Sequence, residues 1–156
     1  MKIASVVDSI SMSQMTYDMI KSFNSMVSVD CCVCCFYLNI APIPVNTNFG
    51  LMNAYYISPW DDMLIATSLQ TAKVIESVSI AKKFLYLYDL EWLRYKSDYE
   101  SNLNILKNKE LQLLCRSEDH ALAIKNYCGV KPKILQDWNP KQLREIYERA
   151  RNSQAV

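Results

Sequence analysis

Apolar residues follow two spacings along the chain, and together these predict alternating strands and helices. Short apolar runs are typical of buried strands, whereas segments with an apolar residue every third or fourth position are typical of amphipathic helices. The runs predict strands at residues 3–7, 27–38, 54–57, 62–67, 83–88, 111–115 and 133–135. The periodic segments predict helices at residues 15–26, 69–78, 98–107, 117–128 and 139–152.

The order of these elements predicts the fold class. Strands that alternate with helices favour a parallel sheet with helices on both faces, because each parallel pair needs a crossover connection. We therefore expect an α/β, Rossmann-like fold. Residues 39–53 contain two prolines, several asparagines and a glycine, which predicts a loop. No linker divides the sequence, so residues 1–156 are predicted to form a single domain.

Charge and hydropathy exclude several classes of protein. The 17 basic and 16 acidic residues are mixed along the chain, which argues against a large basic surface for duplex nucleic acid. No apolar run approaches the roughly 20 residues that span a bilayer. The first apolar run ends at Asp8, so a secretion signal is not expected, and the predicted location is the cytoplasm.

The positions of glycine and cysteine argue against a bound nucleotide and a metal site. Gly50 and Gly129 are the only glycines, and no glycine-rich phosphate loop is present, so no nucleotide cofactor is predicted. Four of the six cysteines fall in residues 31–35, within a predicted strand. Neighbouring side chains there point to opposite faces, which cannot surround one zinc ion. We expect buried, reduced thiols and no metal site.

Polar residues at the carboxyl ends of the predicted strands are the candidate site, because ligands of open α/β sheets bind at that edge. They are Asp8 with Ser9 and Ser11, Thr67 with Ser68, Asp89 with Glu91, and Ser117 with Glu118 and His120.

Asp89 and Glu91 are the predicted catalytic pair. The strand before them delivers both carboxylates to the sheet edge beside Trp92, where a carboxylate can serve as a general base or stabilise a cationic transition state. The alternative is that they cap or pair in a loop-to-helix transition. Asp8, Ser9, Ser11, Trp92, Ser117 and His120 are predicted to bind an acceptor or ligand.

Two further groups of residues have competing interpretations. Ser117 is most simply a helix cap, although a helix start also presents free N–H groups to an anion. His120 is the only histidine and is either a surface residue or a catalyst. Tyr55, Tyr56 and Trp60 either stack on a sugar or base or pack without a ligand.

A strand from residue 2 and four later segments resemble the N-terminal, acceptor-side domain of GT-B-fold glycosyltransferases, and the resemblance extends over about residues 1–138. The segments are Asp-Met-Leu-Ile-Ala-Thr-Ser at 62–68, Phe-Leu-Tyr-Leu-Tyr-Asp-Leu-Glu at 84–91, Leu-Leu-Cys-Arg-Ser-Glu-Asp-His at 113–120 and Gly-Val-Lys-Pro-Lys-Ile at 129–134. In layout the chain is also similar to the DNA-modifying glucosyltransferases of tailed phages. The family's first loop usually contains glycine, whereas residues 9–13 contain none.

The resemblance implies an acceptor-side domain in which Asp89 and Glu91 act at the acceptor. It also implies a donor-binding Rossmann-like domain, which this sequence lacks. We therefore expect either a separate donor-binding subunit or a homo-oligomer, with a glycan or a modified nucleobase as the acceptor. The alternative is a non-catalytic binding or interaction module derived from such a domain. A third possibility is an unrelated Rossmann-like enzyme or nucleotide-binding module.

Overall fold

The structure is a computed structural model that describes residues 1–40, 46–79, 82–94 and 98–153. Its strands are β1 (Lys2–Ile10), β2 (Cys32–Ile40), β3 (Gly50–Asn53), β4 (Met63–Ala66), β5 (Lys82–Leu87), β6 (Leu111–Cys115) and β7 (Lys133–Ile134). Its helices are α1 (Gln14–Met26), α2 (Leu69–Glu76), α3 (Glu91–Arg94), α4 (Tyr99–Leu106), α5 (Glu118–Cys128) and α6 (Pro140–Asn152). Short 3₁₀ turns occupy Ala54–Tyr56 and Gln136–Trp138.

All seven strands form one parallel sheet in the order β3-β2-β1-β4-β5-β6-β7, which confirms the predicted fold class. The chain extends the sheet from β1 in one direction through β2 and β3. It then returns to the other side of β1 and continues through β4 to β7. This reversal creates a crevice at the carboxyl ends of β1 and β4, the usual position of a ligand in such sheets.

A hydrophobic core covers each face of the sheet. On one face, α1 and α6 bury Met19, Phe23 and Leu143 against the strands. On the other, α2, α4 and α5 bury Ala72 and Ile124, among others. Helices on both faces explain why the strands have continuous apolar runs, since a strand covered on both sides has no solvent-facing positions.

Several strand boundaries differ from the prediction, and three of the differences are the largest. Strand β1 continues to Ile10, because β2 pairs with it as far as Ile10, so Asp8 and Ser9 lie inside the strand. Strand β2 begins at Cys32, and Val27 instead caps α1. The predicted strand at 54–57 is wrong: β3 occupies Gly50–Asn53, inside the predicted loop, and residues 54–56 form a 3₁₀ turn. The remainder of that loop includes Pro42 and Pro44, which lie outside the described residues.

Side chains cap the starts of α2 and α6. Ser68 accepts from the Thr71 amide at 3.1 Å, and the Thr71 side chain accepts from the Ser68 amide at 2.9 Å, which completes a reciprocal cap on α2. Asn139 caps α6 ahead of Pro140. Gln142, three residues after Asn139, accepts a hydrogen bond from the Gln136 amide at 2.7 Å, which ties the 3₁₀ turn at Gln136–Trp138 to α6.

Gly129 ends α5 in the left-handed region, with φ of 80°, and its amide donates to the Lys125 carbonyl at 2.8 Å. A Cβ at this position would meet no atom within 4 Å, so only the backbone conformation opposes a side chain. Gly129→Ala is therefore expected to lower the free energy of unfolding by about 1–2 kcal/mol. Urea denaturation measures this loss. Gly50→Ala is the matched control, because its Cβ would lie 3.6 Å from the Cys34 sulphur, an ordinary contact. Equal losses in the two variants would refute the conformational explanation.

The six cysteines are free thiols; five of them are buried, as predicted, and the prediction is wrong for Cys32. Cys34 and Cys35 lie in the cores on opposite faces of the sheet, as the strand alternation requires. Burial raises the pKa of Cys34 to about 11 and that of Cys35 to about 12. Only Cys32 is exposed.

A thiol-specific reagent at pH 8 should therefore modify one cysteine rapidly in the folded protein and all six after denaturation. Thiolate availability and access both limit the buried cysteines. The absorbance of the leaving group that each thiol displaces from the reagent gives the number of reacted thiols. Cys32→Ser should remove the rapid phase; a rapid phase that survives this substitution would contradict the burial of the others.

Candidate functional site

A cleft of about 360 Å³ opens at the carboxyl edge of the sheet, at the reversal between β1 and β4. This volume is near the small end of the range for ligand pockets, roughly 300–1,000 Å³. We call it the edge cleft. Its lining residues are Asp8, Ser13, Gln14, Met15, Thr67, Ser68, Tyr88, Asp89 and Glu91. The structure thus brings Asp8 together with the predicted pair, Asp89 and Glu91.

Asp8 lies near the end of β1, the central strand at the reversal of the sheet. Its side chain is half-buried, and the Oδ1 atom is buried with no hydrogen-bond partner among the described residues. A buried carboxylate oxygen without a donor costs free energy that a hydrogen bond from a ligand would offset. Asp8 is therefore poised to accept a hydrogen bond from a bound hydroxyl or amine.

Asp89 and Glu91 reach the edge cleft from the connection between β5 and α3. The Asp89 Oδ1 atom accepts from the Glu91 amide at 2.8 Å, so Asp89 caps the start of the short helix α3. This is the capping alternative that the sequence left open. Both residues nevertheless line the cleft, so capping and ligand binding are compatible in Asp89, whose side chain is exposed.

Hydroxyl groups fix the backbone segments that line the edge cleft between Asp8 and Asp89. The Thr67 hydroxyl donates to the Val6 carbonyl at 2.9 Å, which fixes the end of β4 against β1. Ser68 and Ser13 are occupied as the caps of α2 and α1. These side chains fix the position of two helix N-termini, whose free N–H groups face the carboxyl edge of the sheet.

Tyr88 forms one wall of the edge cleft and is held on two sides. Its hydroxyl donates to the Asp18 carboxylate at 3.0 Å, and the Arg116 guanidinium lies 4.2 Å from the centre of its ring. Burial and the bond to Asp18 raise the pKa of Tyr88 to about 12, so it remains a neutral donor at physiological pH. Gln14 donates to the other oxygen of Asp18 at 2.8 Å.

The other predicted binding residues lie outside the lining of the edge cleft. Ser9 follows Asp8 in β1, and Ser11 lines a smaller pocket at the start of α1. Trp92 is 4% exposed and packs on Tyr127, with ring centroids 4.3 Å apart. Ser117 caps α5 by accepting from the His120 amide at 3.2 Å.

His120 lies beside the predicted catalytic pair without entering the cleft lining. Its imidazole hydrogen-bonds to the backbone of Asp89, and burial is the main cause that lowers its pKa. The Nε2 atom is buried with no partner among the described residues. The neutral imidazole therefore stabilises the position of the Asp89 backbone through this hydrogen bond.

Sequence reasoning missed Gln14 and Tyr88 as lining residues. Gln14 begins the helix that follows β1, and Tyr88 is the first residue after β5. Tyr88 could have been found from the strand-end rule had the first residue of its connection been included, whereas Gln14 is the fourth residue after β1 and reaches the cleft because α1 begins there. The role of Asp18 could not have been found from the sequence, because only the fold brings α1 against the end of β5.

Exposed apolar side chains surround the same edge of the sheet. Met12 after β1, Tyr55 and Tyr56 after β3, and Leu90 and Leu93 after β5 are all exposed; Tyr55 reaches 92% and Met12 82%. They follow three parallel strands and so share the carboxyl edge. We call this group the apolar rim. Exposed apolar surface of this kind marks an interaction site where it is contiguous.

The rest of the described chain offers few other sites. Among residues 1–40, 46–79, 82–94 and 98–153, no group of three or more His, Cys, Asp or Glu residues could hold a metal ion. Within the same ranges, every helix is too short or too polar to cross a membrane. No family model, curated protein or solved structure matches the chain.

Proposed function

We propose that the edge cleft is the acceptor side of a glycosyl-transfer site, and that a separate subunit holds the donor sugar. The observation that supports this most strongly is the placement of three carboxylates, Asp8, Asp89 and Glu91, around one cleft at the reversal of the sheet. Carboxylates that flank a sugar hydroxyl can orient it and accept its proton.

In the proposed reaction, Asp8 is the general base. The acceptor O–H donates to its carboxylate and transfers the proton as the acceptor oxygen attacks the anomeric carbon of a nucleotide sugar. The bond from that carbon to the donor phosphate breaks, and its electron pair leaves with the nucleotide. Asp8 is favoured over Asp89 because its buried Oδ1 has no hydrogen-bond partner among the described residues, whereas the Asp89 Oδ1 already caps α3.

Asp89 and Glu91 would then bind other hydroxyls of the acceptor. They share the cleft with the Gln14 amide and the Tyr88 ring, a mixture of hydrogen-bonding groups and an aromatic surface that suits a polyhydroxylated ring. No described lining residue is a lysine or arginine, and residues 11–13 between β1 and α1 contain no glycine. The edge cleft therefore favours a glycan over a phosphate-bearing ligand.

The donor side would come from a partner that covers the apolar rim. Transfer requires that water be excluded when the donor and acceptor meet, and the exposed side chains of Met12, Tyr55 and Leu90 offer apolar surface for that contact. A second copy would bring the carboxylates of two edge clefts towards each other, which opposes association through this edge. A different subunit with a nucleotide-binding cleft is thus favoured.

The test is to express the chain with the protein encoded next to it and to measure nucleotide release from UDP-glucose, GDP-mannose and related donors. The acceptors are linear oligosaccharides and DNA with hydroxymethylated bases. The proposal expects glycan-dependent release by the mixture and none by either protein alone. Turnover by this chain alone would refute the separate donor subunit. Release that depends on DNA and not on glycans would refute the glycan acceptor.

A non-catalytic interaction module is the second candidate, and the apolar rim favours it. A chain that only binds would use the same exposed side chains to hold a partner and would need no proton acceptor. The two functions differ in their response to Asp8→Asn. A binding module would keep its partner affinity and have no transfer activity to lose.

A further inference from the structure

A second cleft, of about 430 Å³, lies between α1 and the segment that joins β7 to α6. Asp18, Lys21 and Ser25 line it from α1, and Gln136, Asp137 and Asn139 line it from the joining segment. The function proposed above uses none of these residues as a ligand. We call this the distal cleft.

The backbone of the joining segment has a conformation that residues other than glycine rarely adopt. Asp137 has φ of 45° and Trp138 has φ of 57°, both in the left-handed region. Such conformations persist only where surrounding contacts enforce them, and they concentrate at functional sites. Here Arg116 donates to Asp137 at 2.8 and 3.0 Å, and the Trp138 ring packs edge-on against Phe23 and Tyr86.

The distal and edge clefts lie on opposite sides of one hydrogen bond. Tyr88, in the wall of the edge cleft, donates to Asp18, in the wall of the distal cleft. Gln14 and Asp18 are also hydrogen-bonded on successive turns of α1. A chain of sugar rings that occupies the edge cleft could therefore extend along α1 into the distal cleft.

Both carboxylates of the distal cleft already have hydrogen-bonding partners. Asp18 already accepts from Tyr88 and Gln14, and Asp137 is paired with Arg116. Asn139 uses its side-chain oxygen to cap α6, which leaves its amide nitrogen to donate to a ligand, and the Lys21 ammonium also lines the cleft. Hydroxyl groups of a sugar can accept from both.

We propose that the distal cleft binds the second and later sugar units of an oligosaccharide acceptor. This inference rests on the function proposed for the edge cleft, since it assigns the acceptor's length. The acceptor is then a linear glycan of at least two or three units rather than a monosaccharide. The Tyr88–Asp18 bond marks the boundary between the first unit and the next.

The test measures the affinity of the full chain for linear glucan, mannan and galactan oligosaccharides of one to six units by calorimetry. For the series that binds, affinity should rise at least about tenfold between one and three units, which is about 1.4 kcal/mol. Ser25→Trp fills the distal cleft from an exposed helical position and should remove this gain while leaving the affinity for one unit unchanged. Lys21→Ala, which removes a donor without adding bulk, should reduce the gain several-fold.

Glu148→Trp, on the exposed face of α6 and outside both clefts, is the matched control and should keep the full gain. Circular dichroism checks that each variant is folded. Affinity that does not depend on length, with the single unit still bound, would overturn this inference and leave the function of the edge cleft intact. Failure of every series to bind would overturn both.

Discussion

Trp138→Ala is expected to lower the free energy of unfolding by about 3–5 kcal/mol, the usual cost of truncating a buried aromatic residue to alanine. The Trp138 side chain is fully buried, and its ring lies 5.0 Å from that of Tyr86 and 5.6 Å from that of Phe23. The cavity would open between α1 and the end of β5, where the core of that face meets both clefts. Urea denaturation followed by circular dichroism measures the loss.

Tyr55→Ala is the control for that measurement. Tyr55 is 92% exposed, so its truncation should change the free energy of unfolding by no more than about 0.5 kcal/mol. A loss below about 1 kcal/mol for Trp138→Ala would show that the ring is not packed between α1 and the sheet. The strained conformation at Asp137 and Trp138 would then have no packing to enforce it.

Asp8→Asn is expected to reduce glycosyl transfer by the assembled pair about 100-fold to 10,000-fold, the range of general-base catalysis. Asparagine keeps the shape and the hydrogen-bonding oxygen of aspartate but cannot accept a proton. Asp89→Asn and Glu91→Gln should each cost about tenfold, because they weaken a hydrogen bond to the acceptor and leave proton transfer intact. Asparagine at 89 also retains the oxygen that caps α3.

Ser9→Ala is the matched control, since Ser9 is the next residue in β1 and lies outside the cleft lining. It should retain nearly full transfer. If Asp89→Asn or Glu91→Gln lost more transfer activity than Asp8→Asn, the general base would be a member of the pair that the sequence predicted and not Asp8. Initial rates at saturating acceptor separate this loss from weaker binding.

Most of the fold was predictable because its local signals agree with its tertiary environment. The strands are covered on both faces, so their apolar runs are unbroken, and Ser68, Ser117 and Asn139 mark helix starts with side chains that cap. The failures occur where pairing with a neighbour decides the outcome. Strand β3 is short and half-exposed, with no run to mark it, and only its pairing with β2 holds it extended.

The candidate site was predicted in part for the same reason. Asp8 and Asp89 could be found because each lies near the end of a strand, and a parallel topology brings such ends to one edge. The relative roles of Asp8 and Asp89 could not be predicted, because the burial of the Asp8 Oδ1 atom and the cap formed by Asp89 depend on packing. The distal cleft was not visible at all, since it requires α1 and the β7–α6 segment to meet.

The most direct test of the acceptor site is an NMR titration of the full ¹⁵N-labelled chain with the linear oligosaccharides described above. We predict saturable shifts of the amide signals of Asp8, Gln14, Ser68 and Asp89, which surround the edge cleft, with no shifts in α4, which contributes no residue to its lining. Asp8→Asn should weaken the binding without altering which signals respond. Saturable shifts confined to the amino edge of the sheet, or none with any series, would contradict the assignment of the edge cleft to a glycan acceptor.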